Sequence, residues 1–174
     1  MKNTIKNSIV TFDFDGCISD YFGGEINPRK SQIKDWIKRL IRRGYDIHIV
    51  TRRFGPYASS RGDGNEHVPV FAFADLVGIP HENVHFTDRD WKYGTIDKLE
   101  SSIHLDDDIT EQQLINKHLS WVTAICVEDK NWELQLINRL SKNDDIKIWI
   151  SREENYTKVL LFFAILFTII VFSL

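Results

Sequence analysis

Two rhythms of apolar residues alternate along the chain. Residues 8–15 read Ser-Ile-Val-Thr-Phe-Asp-Phe-Asp, a β-prone run that ends on two carboxylates, Asp13 and Asp15, just before Gly16. The pattern predicts a buried strand carrying both acids at its C-terminal end, with Gly16 free to turn sharply beyond it. Asn27 and Pro28 then supply a helix start, and Ile33, Trp36, Ile37, Leu40 and Ile41 recur at spacings of three and four until Gly44. That is the signature of an amphipathic helix with a defined entry and exit. Residues 45–51, Tyr-Asp-Ile-His-Ile-Val-Thr, predict a second buried strand ending on Thr51, with Arg52 and Arg53 immediately after. Strand, helix and strand in this order imply a right-handed crossover and parallel pairing, which sets Thr51 on the same sheet edge as Asp13 and Asp15.

The alternation continues with a helix over 70–77, a short strand at 84–86, a helix over 93–100 and a strand at 103–105 that runs into Asp106, Asp107 and Asp108. A helix over 111–119, a strand over 121–127 and a helix over 132–140 complete the series. Helices and strands in alternation belong to the α/β class. Two stretches break the rhythm. Residues 17–26, centred on Gly23 and Gly24, predict a tight hairpin flap near the two aspartates. Residues 54–69 hold Gly55, Pro56, Gly62, Gly64 and Pro69 among polar positions without a period, and a connection of that length is a candidate lid or substrate loop. His81 and His85 are four apart, but Pro80 and the strand at 84–86 take them off a common helical face, so they are not read as a metal pair.

The C-terminal end has no period at all. Residues 159–174 carry no charge and are rich in Leu, Ile and Phe. As a helix they would reach about 24 Å, short of a hydrocarbon core of about 30 Å, and Tyr156, Thr157 and the Lys158 stem can extend the span. The expected organisation is therefore a domain over 1–140, a linker over 141–157 and a single-pass membrane tail over 158–174. Lys147, Arg152 and Lys158 precede the uncharged run over 159–174 and are expected to keep the domain on the cytoplasmic side. Residues 146–150 read equally as a last edge strand or as an interfacial segment.

Composition adds limits rather than identity. The chain has 174 residues with a formal net charge of -3, which argues against a broad nucleic-acid-binding surface. Cys17 and Cys126 form no metal or redox spacing and are read as reduced thiols.

The chemistry lies at the strand ends. In chain order these carry Asp13 and Asp15, then Thr51, then Lys92 at a helix start, then Asp106 and Asp107. Such a set offers a carboxylate nucleophile, a second carboxylate as proton donor, a hydroxyl and an ammonium for phosphoryl oxygens, and acids for a metal. Acids crowded at one edge repel one another unless a cation intervenes, and an all-oxygen donor set favours Mg²⁺. The order resembles that of the haloacid dehalogenase-like superfamily over about residues 8–127: Asp13-Phe14-Asp15-Gly16 its first motif, Val50-Thr51 its second, Lys92 its third, and Leu105-Asp106-Asp107 its fourth. Cys17 stands where that family usually has threonine, and Lys98 competes with Lys92 for the third motif.

The resemblance implies a doubly wound, Rossmann-like parallel sheet of about five strands with helices on both faces. It also implies Mg²⁺-dependent phosphoester hydrolysis through an aspartyl-phosphate on Asp13, with Asp15 as acid and base. Thr51 and Lys92 would then hold phosphoryl oxygens, and Asp13, the Asp15 carbonyl, Asp106 and Asp107 would serve the metal. Arg53, two after Thr51, resembles the Thr-x-Arg of nucleotidase-like and phage-type members and is a candidate substrate contact. The implied partner is a phosphorylated substrate of unspecified class, met at an open site, since no insertion is long enough for a large cap. Two other readings stand beside a membrane-tethered phosphatase. One is a nucleotidase or polynucleotide-end phosphatase; the other is a catalytically silent, membrane-anchored scaffold.

Overall fold

The computed structural model describes residues 9–19, 28–58 and 64–140. Five strands, β1 (Ile9–Phe12), β2 (Asp46–Thr51), β3 (Val84–Phe86), β4 (Ile103–Asp106) and β5 (Thr123–Cys126), form one sheet in the order β3-β2-β1-β4-β5. Every pairing is parallel. Five helices connect or follow the strands: α1 (Pro28–Arg42), α2 (Val68–Val77), α3 (Tyr93–Lys98), α4 (Ile109–His118) and α5 (Trp132–Leu140). From β1 the chain winds outward to β2 and β3, then returns past β1 to β4 and β5. Right-handed crossovers in opposite directions set α1 and α2 on one face and α3 and α4 on the other, in keeping with the contacts of α1 with α2 and of α3 with α4.

A parallel sheet is covered on both faces, so its central strands are buried on both sides. Val10, Thr11 and Phe12 of β1 are all fully buried, as are His104 and Leu105 of β4. Ile33, Trp36, Ile37 and Leu40 form the buried stripe of α1, and burying each of the isoleucines contributes about 1.5–3 kcal/mol. The helix stops at Arg42, and the turn that follows runs through Gly44, whose φ of 81° is one that a side-chain-bearing residue adopts only at a cost. On the other face Ile96, Ile115, Leu119, Val122 and Ala124 form a smaller apolar cluster between α3, α4 and β5.

The chain divides into two compact units, 1–132 and 133–174. The sheet and α1 to α4 belong to the first. The tip of the expected flap (20–26), the middle of the expected lid loop (59–63), the linker (141–157) and the tail (158–174) lie outside the described residues. Among the described residues no helix is long and apolar enough to cross a membrane.

Small shifts in boundaries have local causes. Helix α4 begins at Ile109, two residues earlier than the apolar pattern predicts, because the Asp108 side chain caps it by accepting from the Thr110 amide at 2.7 Å. Helix α2 begins at Val68, since Pro69 is accommodated in its first turn. Strand β5 is shorter than the run over 121–127, and Trp121 at its head is exposed.

Candidate active site

The register of β1 against β4 builds the floor of the site. Phe12 pairs with Leu105, and the Asp13 amide donates to the Leu105 carbonyl at 2.8 Å. The next residue of each strand is an aspartate, so Asp13 and Asp106 leave the sheet side by side. They do so where the winding direction reverses, the place where open α/β sheets offer a crevice beyond the strand ends. Both are buried, at 3% and 1% exposure.

Lys92 stands between them. Its backbone position is the residue before α3, and its Nζ lies 2.8 Å from Asp13 Oδ1 and 2.7 Å from Asp106 Oδ2. Burial alone would lower the Lys92 pKa, but the two carboxylates outweigh it and hold the ammonium charged. Lys98, the other lysine weighed for this role, is exposed in the last turn of α3. Asp13 is pushed well above the usual carboxylate range by burial, with Lys92 opposing. Burial acts the same way on Asp106, yet the hydrogen bond from His104 and the charge of Lys92 hold it below the usual carboxylate range.

His104 is the support behind Asp106. Two residues apart on one strand, they share a face, and His104 Nε2 lies 3.0 Å from Asp106 Oδ2. Its other nitrogen, Nδ1, is 2.9 Å from the Thr11 hydroxyl, which in turn lies 3.2 Å from Ser101 Oγ. Burial lowers the His104 pKa and keeps the ring neutral, so Nε2–H donates to Asp106 and the Thr11 hydroxyl donates to Nδ1. The other Asp106 oxygen accepts from the Asp108 amide at 2.9 Å.

Asp107 completes an acidic triad. Oxygens of Asp13, Asp106 and Asp107 lie within 4.8 Å of one another. Burial, then the neighbouring Asp106, pushes Asp107 up to about 6, and its Oδ1 has no hydrogen-bond partner among the described residues. An orphaned buried carboxylate oxygen beside two others is a donor set that fits a hard divalent cation such as Mg²⁺. Gly16 makes this possible. With φ at 75° it passes so close that a Cβ there would overlap the Asp107 carboxylate.

Asp15 and Arg53 form a separate pair above the floor. Arg53 Nε donates to Asp15 Oδ2 at 2.8 Å and Nη2 to Oδ1 at 2.6 Å, while its guanidinium lies over the Phe14 ring at 4.9 Å. Nη1 donates to the Glu66 carbonyl at 2.9 Å. Thr51 ends β2 fully buried, and its Oγ1 accepts from the Arg53 amide at 3.3 Å. Glu111 of α4 is also fully buried; its Oε2 accepts from the Lys92 amide at 3.3 Å, and its Oε1 lies 3.8 Å from Arg52 Nε.

These groups open into a cleft of about 280 Å³ lined by Asp13, Asp15, Lys92, Asp106, Asp107 and Asp108, with Arg52 and Arg89 among its walls. The structure thus brings Asp13, Lys92, Asp106 and Asp107 into direct contact range, sets Asp15 on the same cleft, and engages Arg53 with Asp15. Sequence reasoning missed His104, Glu111, Arg52 and Arg89 as site residues. His104 left a signal as a polar residue two before Asp106 in a strand otherwise apolar, Arg52 as part of the basic pair after Thr51, and Arg89 as part of the charged run Thr87-Asp88-Arg89-Asp90. No protein-family model matches the chain, and no curated protein matches it.

Proposed function

We propose that this chain is a phosphomonoester hydrolase of the haloacid dehalogenase-like type. The observation that carries the reading is Lys92 Nζ bridging Asp13 and Asp106 at 2.8 and 2.7 Å, with an Asp107 oxygen that has no partner among the described residues beside them on the floor of an open cleft. A scaffold has no use for three carboxylates, two of them buried, held against one another.

In this reading Asp13 attacks phosphorus, forming an Asp13 oxygen–phosphorus bond as the bond to the leaving oxygen breaks. Asp15 donates its proton to that oxygen, then takes one from the water that hydrolyses the acyl-phosphate and regenerates Asp13. Arg53 donates to both Asp15 oxygens in the substrate-free cleft, and this pair parts when Asp15 takes up the proton that it delivers. Lys92 and Thr51 serve phosphoryl oxygens, and His104 keeps Asp106 ionised and aimed. Asp13, the Asp15 carbonyl, Asp106 and Asp107 are the groups that would hold Mg²⁺, which when bound supplies positive charge to the acids and to the phosphoryl oxygens. The uncharged run over 159–174 supports a membrane tether with the domain facing the cytoplasm.

The test is hydrolysis of a generic phosphomonoester by the full chain, with and without Mg²⁺. Asp13→Asn is expected to lower turnover by about three orders of magnitude or more and to abolish a covalent phosphoryl label captured by acid quench. Equal turnover by this variant would overturn the mechanism.

A further inference from the structure

The mouth of the cleft is cationic where its floor is acidic, and the two parts are not needed for the same task. Lys92 is taken up by Asp13 and Asp106, and Arg53 by Asp15. Among the described residues, the cations left facing the cleft are Arg52 and Arg89. Arg52 faces a carboxylate only at 3.8 Å, that of Glu111. Arg89 donates through Nη2 to Glu66 Oε1 at 2.6 Å, which leaves other N–H groups of its guanidinium available.

Both guanidinium groups are held in place. Arg52 lies over the Trp91 ring at 4.5 Å and Arg89 over the Phe54 ring at 4.9 Å. Arg52 Nε and Nη2 donate to the Arg89 carbonyl at 3.2 and 2.9 Å, and the Arg89 amide donates back to the Arg52 carbonyl at 2.9 Å. The loops after β2 and β3 are thereby tied to each other through the two arginines. The tie requires Asp88 and Arg89 to adopt φ values of 51° and 75°, a left-handed backbone that residues with side chains rarely hold without a reason.

We propose that Arg52 and Arg89 form a subsite for a second phosphate carried by the leaving group, so that the preferred substrates are phosphomonoesters whose alcohol bears another phosphate. Planar guanidinium groups presented rigidly suit two-point recognition of phosphate oxygens. A substrate with a single phosphate would use only the floor. Small bisphosphates and phosphorylated oligonucleotide ends share this chemistry. The inference rests on the phosphatase reading for its catalytic meaning, but the anion subsite can be tested by binding alone.

The experiment uses the full chain carrying Asp13→Asn, in Mg²⁺ buffer, titrated with adenosine 5′-monophosphate, adenosine 3′,5′-bisphosphate and a 3′-phosphorylated oligonucleotide. At least one of the two ligands that carry a second phosphate is expected to bind tenfold or more tightly than the monophosphate. Adding Arg52→Gln or Arg89→Gln should remove most of that preference, and Arg52→Lys, which keeps the charge but not the fork, should retain part of it. Tighter binding of the small bisphosphate identifies phosphate itself as the feature read, and tighter binding of the oligonucleotide alone identifies a polynucleotide end. Equal affinity for all three ligands, or a preference that survives both glutamine variants, overturns the proposal. If the wild-type chain hydrolyses none of these ligands while the arginine-dependent preference holds, the phosphatase reading falls and the subsite stands.

Discussion

Asp107 is held ionised at neutral pH against its surroundings, since burial and Asp106 both favour its protonated form and move its pKa to about 6. A carboxylate whose folded pKa lies above its unfolded value of about 3.9 destabilises the fold at pH 7, and that penalty disappears as pH falls through 6 toward 4. Asp107→Asn is therefore expected to raise the melting temperature of metal-free protein at pH 7.5. The advantage over wild type should shrink below pH 6 and be gone near pH 4. A gain independent of pH would assign the effect to packing instead. The neighbouring Gly16 lies against the same carboxylate and leaves no room there for a Cβ. Gly16→Ala meets both a left-handed φ, worth about 1–2 kcal/mol, and the Asp107 oxygens, so it should lower stability by that order and also weaken calorimetrically measured Mg²⁺ binding. Of these features the acids were legible in the chain because each follows an apolar run. Their mutual distances were not, because those depend on the register of β1 with β4. The engagement of Arg53 with Asp15 was likewise hidden, since adjacency to Thr51 says nothing about which way a long side chain turns.

Strand β4 shows what an element adds to its residues. Alternation sends Ile103 and Leu105 to one face and His104 and Asp106 to the other, and the second pair joins Thr11 of β1 in a hydrogen-bonded chain. His104→Leu would leave one acceptor position of Asp106 unpaired in a dry interior, at a cost of about 1–3 kcal/mol, while the Thr11 hydroxyl keeps the Ile103 carbonyl and Ser101 Oγ, each at 3.2 Å. Chemical denaturation should report that loss. Mg²⁺ affinity should fall roughly 10–100-fold, as when the outer partner of a metal-binding carboxylate is removed. His104→Gln, which can still donate to Asp106, is expected to recover part of both. A drop in stability with unaltered Mg²⁺ affinity would make His104 a packing residue only. The strands and α1 were readable because their apolar periods are strong. The early start of α4 was readable only in part: three acids before a helix read as a solvated turn or an N-cap, but which acid caps is seen only from Asp108 accepting the Thr110 amide.

At the scale of the whole molecule, the site sits where the winding reverses, and its reactive groups come from segments spread between Asp13 and Glu111. The uncharged segment over 159–174 is separate from that chemistry in sequence. Removing residues 152–174 is expected to leave phosphomonoester turnover unchanged, while the intact chain partitions into a detergent phase that the shortened chain does not enter. Loss of turnover together with loss of cooperative unfolding would show instead that the segment contributes to a core. The sheet also carries a property unrelated to catalysis. One of its borders is β3, a strand of only three residues, Val84–Phe86, so it offers few unpaired amides and carbonyls to a neighbouring molecule. Such a short border is a poor template for intermolecular pairing, and it favours solubility at high local concentration, the condition a protein meets when many copies crowd onto one surface.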